Sequence, residues 1–102
     1  MVMSNDVRRK VYRETDSYIC RIEETKGVLF VHIEIKQMTK KMIKELVDEF
    51  DAFKLKVKLA GYDYLHTYSA TPKFYKHFKG YQDIGPMNWK GQEYRVLRWE
   101  LN

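Results

Sequence analysis

The stretch VLFVHIEIKQMTKKMIKELVDEFDAFKLKVKLAG, residues 28–61, decides the fold. Its first eight residues are rich in β-branched and aromatic side chains, which suit a pleated strand. In a strand, Leu29, Val31, Ile33 and Ile35 point to one face; Val28, Phe30, His32 and Glu34 point to the other. The pattern predicts a central strand, buried on both faces at its start and open to something polar at its end. Thr39 suits an N-cap, because its hydroxyl can accept from a free amide of the first helical turn. Met42, Ile43, Leu46, Val47, Phe50, Phe53 and Val57 then recur at helical spacing. The segment 54–59 also alternates like a strand, but no breaker interrupts the run before Gly61. The whole of 39–60 is therefore expected to be one helix, with Gly61 as its stop.

Upstream, Tyr18–Ile22 and the 28–35 strand flank a short loop ending in Gly27, which signals a hairpin. Residues 1–14 are polar and basic, with Arg8, Arg9, Lys10 and Arg13; they either fray or supply an edge strand. Downstream, Tyr62–Ser69 reads as a strand. Pro72 opens a short helix with Phe74, Tyr75 and Phe78 as its apolar contacts. Residues 81–89 are extended, Lys90-Gly91 turns the chain, and 93–101 is the last strand. The order is β-β-α-β-α-β-β in one α+β domain spanning 1–102. The strand–helix–strand unit joins parallel neighbours, and the outer strands pair as hairpins, so a mixed sheet is expected.

Apolar residues are 44% of the chain and aromatics 15%, too many for a disordered segment. Cys20 is the single cysteine, so no internal disulfide can form. His66 and His77 have no ligand spacing with it or with each other, so no metal site is expected. No apolar stretch reaches signal-peptide or membrane-span length, which predicts a cytoplasmic protein. The net charge of +5 raises nucleic acid as a partner. Nineteen basic residues are, however, interleaved with fourteen acidic ones, the pattern of a solvated mixed surface. Tyr62, Tyr64, Tyr68, Tyr75, Tyr81 and Tyr94 could stack bases. No RNP-like or Gly-clamp motif organises them, and half-buried strand positions explain them more simply.

Two stretches resemble the GNAT N-acetyltransferase family. One is the strand Phe30–Ile35 running into the long helix, similar to that family's cofactor-binding strand and helix. The other is Phe74-Tyr75-Lys76-His77-Phe78-Lys79-Gly80-Tyr81, similar to its aromatic-Tyr…Gly-aromatic run with one extra residue before Gly80. Tyr94–Leu101 resembles the family's last strand, and the likeness covers roughly 18–101. The small size resembles GNAT-like proteins encoded by bacteriophages. The resemblance implies a truncated GNAT-like sheet, because most of the family's first strand and its two early helices, which wall the acceptor pocket, have no counterpart. It implies acetyl-CoA as the cofactor if the chain is an enzyme. It places Gln37, Thr39, Lys40 and Lys41 at the pyrophosphate, Tyr75 as the acid for the leaving thiolate, and His32 and Glu34 near the acceptor amine. In the matching run Gln37 fits, whereas Lys40 and Met42 stand where the family has small residues.

Each candidate has a structural reading beside the chemical one. Tyr75 also reads as a core tyrosine with one hydrogen bond. His32 and Glu34 also read as a polar strand end. Lys40 and Lys41 could hold an anion at a helix N-terminus, or simply be solvated. With the small residues replaced, the expectation is a non-catalytic GNAT-like binding module needing no cofactor. It would act as a phage accessory protein on a host or phage protein, and form a homodimer through its N-terminal edge or the aromatics near Trp89 and Trp99. The alternatives are a divergent acetyl-CoA-dependent N-acetyltransferase and a weak nucleic-acid binder.

Overall fold

The structure is a computed structural model that describes residues 7–102. Its elements are β1 (Val7–Glu14), β2 (Tyr18–Thr25), β3 (Val28–Ile35), α1 (Lys40–Leu59), β4 (Tyr64–Ser69), a 3-10 helix (Pro72–His77), β5 (Tyr81–Trp89) and β6 (Gln92–Glu100). They form one six-stranded mixed sheet in the order β1-β2-β3-β4-β6-β5. Strands β3 and β4 are the parallel pair, as the crossover demands. The other adjacent pairs are antiparallel.

Local chemistry accounts for the joints. The β2–β3 and β5–β6 hairpins turn on Lys26-Gly27 and Lys90-Gly91, all four with positive φ. Positive φ at both central residues gives a turn whose twist matches that of the strands it joins. Thr39 caps α1 as expected, its Oγ1 accepting from the Met42 amide at 3.0 Å. At the other end, the Tyr62 amide donates back to the Val57 carbonyl, so β4 starts at Tyr64 and not at Tyr62.

Two elements differ from expectation. Of the options for 1–14, the part covering 7–14 is an edge strand, so the order gains a strand at its start; residues 1–6 lie outside the described residues. The second helix is a single 3-10 segment. Thr71 makes no side-chain cap bond there, and the segment closes with a Phe78 amide to Tyr75 carbonyl bond, geometry that does not propagate far.

The core lies on one face of the sheet. Met42, Leu46, Phe50, Phe53 and Val57 of α1 are buried against Leu29, Val31, Leu65, Leu97 and Trp99 of the strands. Tyr75 and Phe78 join them beside α1. Among the described residues, the opposite face carries no helix. The expectation that β3 starts buried on both faces is corrected accordingly: Val28 is exposed and Phe30 only half-buried. Among the described residues, no helix is long and apolar enough to cross a membrane.

Candidate functional site

Strands β3 and β4 are registered at the single pair Phe30–His66. Tyr75 reaches the seam between them from the helix side. Its hydroxyl accepts from Thr67 Oγ1 on β4 at 3.4 Å, a long bond, and the backbone of Ile33 on β3 hydrogen-bonds the same oxygen. Tyr75 is 3% exposed, and burial raises its pKa. A phenol held this way stays protonated at neutral pH, and its oxygen bridges the two parallel strands.

The segment leading into α1 is tied to the chain's own backbone. The amides of Lys36 and Gln37 both donate to the Ser17 carbonyl, at 2.7 and 3.1 Å. The Lys36 ammonium reaches Glu14 and the Thr15 carbonyl, each at 3.0 Å. Thr39 Oγ1 is committed to the Met42 amide. Lys40 and Lys41 are exposed. Met42 does not overhang the helix start: it is 3% exposed and its side chain belongs to the core.

The helix-free face holds a polar cluster around Glu23. This carboxylate is 8% exposed. It accepts from Arg9 Nε and from Thr25 Oγ1, each at 3.2 Å, and lies 3.2 Å from His32 Nε2. A carboxylate can only accept, so Nε2 carries the proton of a neutral His32, and Nδ1 is left as the acceptor. Aromatic rings surround the imidazole: Tyr68 stands edge-on at 4.5 Å and Phe30 stacks at 6.3 Å. Tyr94 continues the row beside Tyr68 at 5.6 Å. His66 lies 5.4 Å from Phe30, and the Arg98 guanidinium sits 4.5 Å over the Tyr64 ring. Glu34 stays apart from His32 and pairs with Arg21 at 3.3 Å in an exposed position. The partner of His32 is thus Glu23, which the sequence reading did not single out. A two-residue hairpin at Lys26-Gly27 sets Glu23 opposite Phe30 and Arg21 opposite His32. Glu23 and His32 are therefore diagonal neighbours on one face, a relation the turn spacing alone could have revealed.

The electrostatics make this cluster acid-sensitive. Burial lowers the His32 pKa from 6.5, outweighing the opposing pull of Glu23. Burial also lowers that of His66, whose Nδ1 is buried without a hydrogen bond of good geometry. Burial alone would raise Glu23, but the bonds from Arg9, His32 and Thr25 outweigh it and leave its pKa below 4.5. A group depressed on folding contributes stability that is complete above its unfolded pKa and lost as pH falls through the folded value. The thermal midpoint is therefore expected to hold above 6.5, to drop on acidification below it as the imidazoles protonate in the unfolded chain, and to drop again below 4.5 as Glu23 does. Thermal melts of the wild type and of a His32→Gln, His66→Gln double variant at pH 7 and about pH 5.5 check this. The wild type should lose stability across that interval and the double variant should lose less. A flat wild-type profile would contradict the assignment.

Other candidates are separate from these groups. Cys20 is buried, and burial pushes its thiol up to about 11, so it is a poor nucleophile at neutral pH. Among the described residues, no three His, Cys, Asp or Glu side chains gather to hold a metal.

The architecture is a mixed sheet with a parallel pair at its centre, a long crossover helix on one face, and a tyrosine reaching the parallel seam. No protein-family model matches the chain, and no curated protein matches it in sequence. Solved structures do match. An aminoglycoside 6'-acetyltransferase type Ii superposes with a TM-score of 0.68 at 9% identity, covering 95% of this chain and 70% of the other. A spermidine N-acetyltransferase SpeG chimera from Vibrio cholerae superposes with a TM-score of 0.60 at 14% identity, over 95% of this chain and 68% of the other. The chain has a GNAT-like fold.

Proposed function

We propose that this chain is a GNAT-like binding module that has given up acetyl transfer and engages a protein through its helix-free sheet face. The observation that carries the reading is the Tyr75 oxygen, lodged between β3 and β4 and satisfied by Thr67 and Ile33. A thioester lying in that seam would have to displace both bonds and leave buried polar groups to find new partners, which is costly. The helix start gives a second reason. A CoA pyrophosphate needs free amides and close backbone approach. Here the amides of Lys36, Gln37 and Met42 are already bonded within the chain. The residues present therefore fit acetyl-CoA poorly.

The helix-free face supplies the contact surface. Phe30, Tyr68 and Tyr94 are half-buried rings in a row, and aromatic side chains of this kind anchor protein interfaces. On the resemblance to phage-encoded GNAT-like proteins, the partner is a host or phage protein. A homodimer is the other occupant of this surface. It would use Trp89, which is 49% exposed, and not Trp99, which is 1% exposed and interior, so that half of the expected dimer surface is withdrawn. Pairing through β1 suits a copy of the chain badly. The strand carries Arg9, Lys10 and Arg13 and is broken by a bulge between Val11 and Arg13, features that discourage edge-to-edge association.

The second reading, an N-acetyltransferase, is favoured by the Glu23–His32 pair, because an imidazole oriented by a buried carboxylate presents Nδ1 as a base. An acetyl-transfer assay with acetyl-CoA and a panel of primary amines separates the two. The binding-module reading expects no transfer above the uncatalysed rate. Turnover that falls on both Tyr75→Phe and His32→Ala would replace it with the enzyme reading.

A further inference from the structure

We infer that the cleft between β1 and the C-terminal half of α1 is a binding site for a free medium-chain carboxylate. The site does not depend on the function proposed above. The cleft encloses about 430 Å³, within the range of small-molecule sites, which are mostly apolar with a few placed polar groups. Its floor is apolar: Ile22 and Leu29 from the sheet, Phe53 and Val57 from the helix, and Ala60 from its C-cap. Phe53 and Val57 also belong to the core, so the floor is fixed by packing and not by loop conformation.

The polar groups at the rim choose the ligand's charge. The carboxylate in the lining, Glu24, accepts the Tyr62 hydroxyl at 2.5 Å; it keeps its negative charge, and the two lysines of the lining outnumber it. Arg9 is drawn off to Glu23 on the opposite face. That leaves an ammonium on each wall, Lys10 from β1 and Lys56 from α1. Both residues are exposed, and among the described residues Lys56 donates to a phenol, the Tyr12 hydroxyl at 3.2 Å. An apolar trough with a lysine on either side is complementary to an alkyl chain ending in an anion. The chain lies on the floor and the carboxylate spans the two ammonium groups, where hydrogen bonds are charge-assisted. A cationic amphiphile would meet two like charges at the same rim.

Sodium decanoate, held below its micelle concentration, is the probe. Calorimetry should give saturable binding, and amide resonances of Ile22, Phe53 and Val57 should shift with it. Burial of a methylene predicts about four-fold tighter binding per CH₂, hence roughly fifteen-fold from octanoate to decanoate. The double variant Lys10→Glu, Lys56→Glu should weaken decanoate by about ten-fold or more, with a small fall in the thermal midpoint from the lost Lys56–Tyr12 hydrogen bond. If that variant is unstable, Lys10→Gln, Lys56→Gln serves in its place. Decyltrimethylammonium should bind more weakly than decanoate. The assignment is overturned if decanoate does not bind, if the cation binds as tightly, if affinity ignores chain length, or if the shifts map away from the cleft.

Discussion

Acetyl-CoA is expected to bind this protein no tighter than about the millimolar range, roughly −4 kcal/mol. Positive charge at the helix start is not what is missing, since Lys40 and Lys41 are exposed there. What is missing is unclaimed backbone and an open seam. The Lys36 and Gln37 amides hold the β1–β2 turn through Ser17, Thr39 spends its hydroxyl on capping α1, and Tyr75 fills the gap between β3 and β4. Each would have to give up an internal hydrogen bond, and a buried polar group left without a partner costs about 1–3 kcal/mol. Two or three such losses together remove a large part of a micromolar affinity, about −8 kcal/mol. The structure also corrects an obvious repair. Reading Lys40 and Met42 as two lost small residues suggests restoring glycine at both. Met42 is in the core, however, so Met42→Gly would empty a buried site at about 2–5 kcal/mol and add about 1 kcal/mol for glycine in a helix. Lys40→Gly alone is the usable variant, and it should leave acetyl-CoA affinity weak. Isothermal titration of both proteins measures this directly. A micromolar dissociation constant for the unmodified chain would refute the reading of the seam as closed.

Trp99→Ala is expected to bring the domain close to unfolding. The indole is 1% exposed, packs at 4.8 Å against Phe50, 5.9 Å against Tyr81 and 6.1 Å against Tyr75, and donates Nε1–H to the Phe78 carbonyl at 3.3 Å. It joins β6, α1 and the segment carrying Tyr75. Truncating a buried aromatic to alanine costs about 3–5 kcal/mol, against a total of about 5–15 kcal/mol for a small domain. At about 4 °C or more per kcal/mol for a domain of this size, the melting temperature should fall by at least roughly 12 °C. Trp89→Ala is the internal control. Trp89 is 49% exposed with Lys90 over its ring, and its loss should stay within about 0.5 kcal/mol. Circular-dichroism melts of the two variants should separate widely; equal, small shifts would mean that Trp99 does not anchor the core.

The elements of this fold were legible in the sequence because each is set by neighbours in the chain. The alternation of 28–35, the helical spacing from Met42 to Val57 and the Thr39 cap act over one to four residues, and the structure has them as read. The Lys-Gly turns belong to the same class, since a two-residue turn is a local conformational choice. Order and polarity of the β3–α1–β4 unit follow from chain connectivity, so the parallel pair and the GNAT-like sheet could be read as well.

What only the tertiary structure decided is where side chains meet across elements. Tyr75 was identifiable as a special tyrosine, yet its place in the seam depends on Thr67 and Ile33, which come from two other strands. The sequence motif set Met42 at a phosphate and left Trp99 open to a partner, whereas packing turned both into the core. His32 was singled out, but its partner is Glu23 of the neighbouring strand and not Glu34 of its own. Residues two apart on one strand share a face, while hydrogen-bond partners are chosen by which neighbouring strand carries the complementary group. The Glu23–His32 pairing is set within one hairpin, but the bare second face on which it is displayed arises from the assembly of the sheet and is written in no single segment of the chain.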